Sequence, residues 1–177
     1  MIDIPTIDTA RVRLRAFRAS DHRDFAAYFA SERTTRFLGG VIGADDAWRR
    51  LATLAGQWVL QGYGPFAIEE RSSARFAGYA GAWFPHGWPE PEIMWGLCAD
   101  FHGKGYATEA AGAARDWAYR TLGWSTAISL IHPDNHASRR VAERLGARPD
   151  GEQTLRGQTV GIHRHPASPQ TINQHNA

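Results

Sequence analysis

Cysteine is almost absent from this sequence, because Cys98 is the single one in 177 residues and the chain cannot form an internal disulfide. No apolar run approaches the roughly 18 residues that a membrane-spanning helix needs. The first residues, Met1 to Pro5, also lack the basic head and apolar stretch of a signal peptide. These absences lead us to expect a cytoplasmic protein with no membrane partner.

Lysine is nearly missing as well, since Lys104 is the only one among 20 Lys plus Arg. The 18 Asp plus Glu leave a formal net charge of +2, and no basic run is longer than two residues. A nucleic-acid partner is therefore not expected. Acidic runs are equally short, so nothing indicates a polycationic ligand such as an aminoglycoside.

Apolar material is present in the amount that one core needs. Hydrophobic residues make up 43% of the chain, with 7 Trp, 8 Phe and 5 Tyr, and the length suits one domain of ordinary size. We expect this domain over residues 1–165. Residues 166–177 read as a polar tail, because Ser, Gln, Asn and Thr leave little to bury.

The hydrophobic pattern alternates between strand and helix periods. A period-two pattern predicts a strand over 11–17, and the spacing of Trp48, Leu51, Ala52, Ala55, Trp58 and Val59 predicts the apolar face of a helix. The later predicted elements are strands at 66–70, 75–84 and 92–99, a helix at about 107–122, a strand at 127–131, a helix after Asn135, and a hairpin at 152–163. This order predicts an α+β fold with a single mixed, largely antiparallel sheet of about seven strands and helices on both faces.

A glycine loop joins the strand at 92–99 to the helix that follows it. Gly103 and Gly105 allow an anionic group to approach the free N–H groups at the helix start, which favours a phosphate site. A tight strand-to-helix turn explains the same glycines equally well. ATP and dinucleotide motifs are disfavoured, because Gly105 follows Lys104 and Thr108 occupies the third glycine position.

Four segments in order give the loop a context: TARVRLR at 9–15, EIMW at 92–95, GKGYATEA at 103–110 and NHASRRVAERLG at 135–146. Together they resemble the GCN5-related N-acetyltransferases, and within them the branch of the ribosomal-protein N-terminal acetyltransferases. The resemblance covers about residues 9–163. It implies the acyl-CoA N-acyltransferase fold, in which two central strands splay apart, with acetyl-CoA as cosubstrate and no metal.

The resemblance also implies where acetyl-CoA would bind. Backbone N–H groups of the loop would hold the pyrophosphate, and the strand end would pair with the pantetheine arm. The implied binding residues are Leu97, Cys98, Ala99, His102, Gly103, Lys104, Gly105, Tyr106, Ala107, Asn135 and Ser138. His102 departs from the Gln or Arg that is more common at its position, which puts one side-chain contact in doubt.

Transfer of an acetyl group to an amine needs a base, and Glu92 matches the position where related enzymes carry theirs. A solvated carboxylate at a strand end is the alternative. Many members of the family that the chain resembles use a tyrosine in the helix after Asn135 to protonate the leaving thiolate. This helix contains none, so the resemblance implies Ser138 or a water in that role. Asn135 also suits a helix cap, and Glu109 suits a structural role at the positive end of its helix.

Other reactive side chains have simpler explanations. Cys98 is expected to pack rather than to act as a nucleophile. His163 and His165 share a strand face but lack an evident third metal ligand. Aromatic residues and glycines in two loops either border an acceptor site or pack at the edge of the core; they are Phe37, Leu38, Gly39, Gly40, Trp83, Phe84, His86 and Trp88.

The sequence as a whole predicts an N-acetyltransferase that transfers acetyl from acetyl-CoA to a primary amine by direct attack in a ternary complex. Backbone N–H groups near Leu97 and Cys98 are expected to stabilise the developing oxyanion. The acceptor stays open among a protein N-terminus, a polyamine, an amino acid and a drug, and a homodimer stays open too. The alternative is a non-catalytic acyl-CoA sensor on the same fold.

Overall fold

The computed structural model describes residues 3–169. Eight strands form one sheet in the order β1-β2-β3-β4-β5-β6-β8-β7, with β5 and β6 parallel and the other neighbours antiparallel. The strands are β1 (Ile7–Asp8), β2 (Val12–Arg15), β3 (Pro65–Glu70), β4 (Phe76–Trp83), β5 (Glu92–Leu97), β6 (Ile128–Ile131), β7 (Arg148–Leu155) and β8 (Gln158–Arg164). The helices are α1 (His22–Phe29), α2 (Glu32–Thr35), α3 (Ala44–Gln61), α4 (Tyr106–Trp117) and α5 (His136–Arg144).

The mixed α+β architecture expected from the sequence is confirmed. The predicted sheet of about seven strands has eight, because the two residues of β1 pair with Leu14 and Arg13 in the middle of β2. Such a short strand carries no periodicity that a sequence pattern can show.

Helices cover both faces of the sheet. Ala80 and Ile93 belong to the core on the α4 side, whereas Tyr79 and Met94 pack with α1 and α3 on the other side. The alternation of side chains along β4 and β5 produces this division. The small side chains of α4 that meet the sheet are fully buried; they are Ala110, Ala111 and Ala114.

Glycines stand at both ends of the helical segment formed by α4 and the turn that follows it, as the sequence indicates. Gly105 precedes the helix with a φ of +81°, and Gly123 ends it with a φ of +70° after a π-helical turn over Ala118–Leu122. Both values lie in the left-handed region that favours glycine.

The buried face of α3 differs from the predicted stripe. Trp48 and Val59 are 46% and 68% exposed, whereas Leu51, Leu54 and Trp58 are buried. Trp48 contacts the ring of His22 edge-on, with ring centroids 5.2 Å apart, at the rim of the domain. The packing of α3 against α1 and the sheet therefore selects a face slightly rotated from the one that hydrophobicity alone suggests.

The first residues of the predicted tail lie against the domain. The Tyr119 hydroxyl donates to the Pro166 carbonyl at 2.8 Å, and the Ser168 N–H donates to the Ser125 carbonyl at 2.7 Å. Residues 170–177 of that tail lie outside the described residues. Between residues 3 and 169, no helix is both long enough and apolar enough to cross a membrane.

Candidate active site

The two parallel strands β5 and β6 separate immediately after they meet. They pair at Glu92 and Ile128, where the Ile128 N–H donates to the Pro91 carbonyl at 2.9 Å. Beyond this pair, hydrogen bonds that involve side chains connect β5 with β6. The Leu130 N–H donates to Glu92 Oε1 at 3.1 Å, and the Ser129 hydroxyl donates to the Ile93 carbonyl at 2.6 Å. The sheet therefore opens into a gap whose narrow end is Glu92.

Glu92 is a buried carboxylate with two hydrogen bonds and 6% exposure. Its second donor is Trp88 Nε1, at 2.8 Å from Oε2. Burial raises the pKa of Glu92 to about 7, although both hydrogen bonds favour the charged form and lower it. A carboxylate with this pKa is poised to accept a proton near neutral pH. The structure thus buries Glu92 and does not leave it at a solvated strand end.

A cavity of about 690 Å³ lies against Glu92. Asn135 and Ser138 line the same cavity, so the structure brings the two predicted catalytic residues, Glu92 and Ser138, to one space. Asn135 Oδ1 also accepts the Ser138 N–H at 3.1 Å, which confirms the helix cap. Aromatic and small residues of the two loops border the cavity as well; they are Phe37, Leu38, Gly39, Trp83 and Trp88.

The glycine loop forms a second concave site, of about 480 Å³. Gly103 and Gly105 have φ values of +77° and +81°, and a Cβ on Gly103 would meet nothing within 4 Å. The Thr108 hydroxyl oxygen is buried without a hydrogen-bond partner among the described residues. Three cations and one carboxylate, Glu109, line this concavity; the cations are Arg11, Lys104 and Arg144. Open glycine backbone, an orphan hydroxyl and a helix N-terminus fit the phosphates of a coenzyme A molecule.

Hydrogen bonds of Glu109 and Arg11, which the sequence does not reveal, hold the glycine loop in place. Glu109 Oε1 accepts hydrogen bonds from the Arg11 backbone N–H at 2.7 Å and from the Thr9 hydroxyl at 2.6 Å. The Arg11 guanidinium donates to Glu109 Oε2 and to the Lys104 carbonyl, both at 2.7 Å. Glu109 is structural, as expected, but it acts by tying the turn before β2 to the loop.

The strand end before the loop departs from expectation in one detail. The Cys98 N–H donates to the Ala77 carbonyl of the neighbouring chain segment at 2.9 Å, so it is not free to stabilise an oxyanion. Because alternate residues of a strand direct their N–H groups to opposite sides, Leu97 directs its own away from β4 and toward the gap. Of the two N–H groups expected to stabilise an oxyanion, only that of Leu97 is therefore available.

Four further predicted binding residues direct their side chains to other parts of the protein. His102 Nε2 forms a hydrogen bond with the Leu97 carbonyl at 2.9 Å, and the Tyr106 hydroxyl donates to Glu70 Oε1 at 2.7 Å. Ala107 packs against the core, and Ala99 begins a short helical turn. None of these four side chains lines either cavity, whereas Gly103, Lys104 and Gly105 line the second one.

The Lys104 side chain contacts neighbouring residues of the protein, and we expect its removal to change the affinity for acetyl-CoA only slightly. Its Nζ lies 3.9 Å from Glu70 Oε1 and 5.0 Å from the centroid of the Phe101 ring, with the side chain 48% exposed. Exposed charges contribute little because water screens them. Lys104→Ala should therefore raise the Kd for acetyl-CoA by less than about 5-fold, measured by calorimetry. A 100-fold rise in this Kd would instead indicate that Lys104 is the main phosphate contact.

His163 and His165 are both buried, and His165 forms a hydrogen bond within the sheet. Since the single Ser129 hydroxyl proton goes to the Ile93 carbonyl, His165 Nε2 donates to Ser129 Oγ across 2.9 Å. Burial is the main cause that lowers the pKa of His165, to about 4, so the ring is neutral at pH 7. In the part of the chain from 3 to 169, no three His, Cys, Asp or Glu side chains group as metal ligands.

Comparison with known proteins gives one family and several similar chains. The family model of the acetyltransferase (GNAT) domain matches residues 11–148. An uncharacterized N-acetyltransferase of Bacillus subtilis, YnaD, is 25% identical over 146 residues, which are 82% of this chain and 84% of that protein. An acetyltransferase from Agrobacterium tumefaciens has a similar crystal structure, with a TM-score of 0.84, 31% identity, and coverage of 93% of this chain and 96% of that one.

A structure of a ribosomal L7/L12 α-N-protein acetyltransferase, RimL, was solved with coenzyme A. It has a TM-score of 0.73 and 18% identity, and the match covers 92% of this chain and 98% of that one. At this identity the likeness shows the shared fold alone.

Proposed function

The chain belongs to the acetyltransferase (GNAT) domain family, and from that membership we propose that it transfers the acetyl group of acetyl-CoA directly to a primary amine. The observation that carries the mechanism is the position of Glu92. Its buried carboxylate stands where β5 and β6 part, inside the larger cavity. The same strand leads on to the glycine loop, so one strand would connect the donor site with the base.

Acetyl-CoA supplies an acetyl group activated as a thioester. The loop from His102 to Ala107 would hold its pyrophosphate through backbone N–H groups, at the positive end of α4. The Thr108 hydroxyl has no partner among the described residues and could donate a hydrogen bond there. The gap between β5 and β6 would take the pantetheine arm, and Asn135 and Ser138 line the cavity into which the gap opens.

The chain's own groups would move the protons. Glu92 would take the proton that the attacking amine loses, directly or through water, because its pKa of about 7 leaves much of it ionised at neutral pH. The Leu97 N–H, directed into the gap, would donate to the carbonyl oxygen as negative charge develops there. Ser138, half-buried at the start of α5, would supply or relay a proton to the leaving thiolate.

A broad panel of amines and peptides tests this proposal. Each acceptor is incubated with protein and acetyl-CoA, release of the CoA thiol is followed, and the mass of the product is measured. Release of thiol that matches acetylation of at least one amine is expected. Tight binding of acetyl-CoA without turnover on any amine would instead indicate the acyl-CoA sensor.

Cys98→Ala is expected to keep most of the activity. The thiol is partly buried, and burial is the main cause that raises its pKa to about 12, so almost no thiolate exists at neutral pH. A kcat within about 3-fold of wild type follows if the acetyl group moves directly to the amine. An acetylated Cys98 detected by mass spectrometry in the absence of acceptor would contradict direct transfer.

A further inference from the structure

The charges around the larger cavity distinguish between classes of amine. Two guanidinium groups, of Arg50 and Arg156, line it, and Glu92 is the only carboxylate among its described lining residues. We propose that the acceptor is an amine that also carries an anionic group, such as a carboxylate, bound by Arg50 and Arg156 while the amine faces Glu92. This inference rests on the proposed acetyl transfer and names the substrate class for it.

Arg50 is a cation that the fold leaves without a carboxylate partner. Its guanidinium lies over the ring of Phe29, 4.8 Å from the centroid, and within residues 3–169 it forms no ion pair. The neighbouring Arg49 differs, because it pairs with Asp46 at 2.7 Å and does not line the cavity. A guanidinium stacked on a ring keeps its N–H donors free at its edge, where a carboxylate can bind.

Arg156 reaches the cavity from another part of the chain. It stands at the turn between β7 and β8 with a φ of +50°, and its guanidinium lies 5.6 Å from the Trp88 ring centroid. No carboxylate pairs with it in the described part of the chain either. Since Trp88 also donates a hydrogen bond to Glu92, the same indole connects the second cation with the base.

The cations and the base do not neutralise each other. Within residues 3–169 neither Arg50 nor Arg156 forms an ion pair with Glu92, whose carboxylate accepts its hydrogen bonds from Trp88 and Leu130. Burial is the main cause that raises the pKa of Tyr79, which lines the same cavity; Arg50 lowers it and Glu92 raises it further. One cavity thus presents a cation for the anionic group and a base for the amine.

The same arrangement disfavours polycationic acceptors. Bringing several positive charges beside two guanidinium groups costs free energy that one buried carboxylate cannot offset. An anion on the substrate neutralises the guanidinium groups instead. The cavity walls also include Phe25, Phe37 and Trp83, which suit an apolar body between the two ends.

The test compares acceptors that differ only in the anion. L-Phenylalanine is measured against L-phenylalaninamide, and a tripeptide with Glu at its second position against the same peptide with Gln. Rates are compared at equal concentrations of unprotonated amine, because the amide lowers the amine pKa. We expect kcat/KM to favour the anionic member of at least one pair by about 10-fold or more, and the pair that responds identifies a free amino acid or a peptide as the source of the anion.

Substitution then assigns the preference to the two arginines. Arg50→Gln and Arg156→Gln should each reduce the anionic preference several-fold, mainly through a higher KM for the anionic member of the pair. Arg49→Gln is the matched control on the same helix and should keep the full preference. Equal rates for both members of each pair in wild type, or a preference that survives both substitutions, would overturn the proposal.

A direct binding measurement separates this inference from the proposed function. If no acceptor turns over, the complex of protein and CoA is titrated with the same pairs by calorimetry. Binding of the anionic member alone would support the anion site while the transferase assignment fails. Equal binding of both members, or binding of neither, would overturn the anion site.

Discussion

We expect Glu92→Gln to lower kcat by about 100-fold or more, a typical share for a general base. The glutamine keeps the shape of the side chain and an oxygen that can accept the Leu130 N–H, but it cannot take a proton. The Kd for acetyl-CoA should stay nearly constant, because Glu92 lies in the larger cavity and not in the glycine loop. Steady-state kinetics and calorimetry together measure both quantities.

The pH dependence of this variant gives the sharper result. In wild type, kcat/KM requires both a deprotonated Glu92 and a neutral amine, so its logarithm should rise with a slope of about two below pH 7 and about one above it. Glu92→Gln should show a slope of about one throughout. An unchanged profile with full activity would show that solvent or another group takes the proton.

Glu90→Gln is the matched control for the base. Glu90 lies two residues before Glu92, but it pairs with Arg164 at 2.8 and 2.9 Å and does not line the cavity. Its replacement removes one carboxylate from the same segment without touching the proposed base. We expect kcat within about 2-fold of wild type. A loss as large as that of Glu92→Gln would mean that the segment, and not the proton acceptor, limits the reaction.

The second large effect concerns the glycine loop, where Gly105→Val should raise the Kd for acetyl-CoA by about 100-fold or more. A branched side chain there would meet Arg11, whose guanidinium nitrogen lies 3.2 Å from the Cβ position, and would obstruct the approach of a phosphate. Hydrogen bonds to charged groups contribute roughly 1.5–3 kcal/mol each. Loss of two of them accounts for this change in affinity.

Backbone strain has to be separated from loss of the phosphate site, because Gly105 has a φ of +81°. Gly123→Val is the matched control: Gly123 stands at the other end of the same helical segment with a φ of +70° and open space around it. Both variants should lose similar thermal stability, while only Gly105→Val should lose acetyl-CoA affinity. Equal affinities of the two folded variants for acetyl-CoA would contradict the assignment of the glycine loop as the phosphate site.

The sequence predicts those parts of the molecule that local patterns encode. The glycines around α4, the cap at Asn135 and the strand that begins at Glu92 each depend on a few adjacent residues, and the structure has all three. The pattern also placed Glu92 at the start of its strand. It could not show that the carboxylate is buried, because burial depends on Trp88 and on the neighbouring strand.

Contacts between distant segments account for what the sequence could not give. Arg11 and Glu109 are 98 positions apart, and no periodicity links the turn before β2 to the glycine loop. The Cys98 N–H, which the sequence leaves free to bind an oxyanion, donates to the Ala77 carbonyl of a distant segment. Arg156 contacts Trp88 only because the β7–β8 hairpin lies beside the loop before β5. Each of these is a product of tertiary packing, which local propensity does not encode.

The most direct test of the whole account is a single-turnover experiment. Protein and acetyl-CoA are mixed in equal amounts, an acceptor identified from the panel is added, and the free CoA thiol and the acetylated amine are measured in the same samples over time. The account predicts that both appear at the same rate and in equal amounts, with no acetyl group left on the protein. Thiol release that precedes the acetylated amine, together with an acetylated protein, would contradict direct transfer.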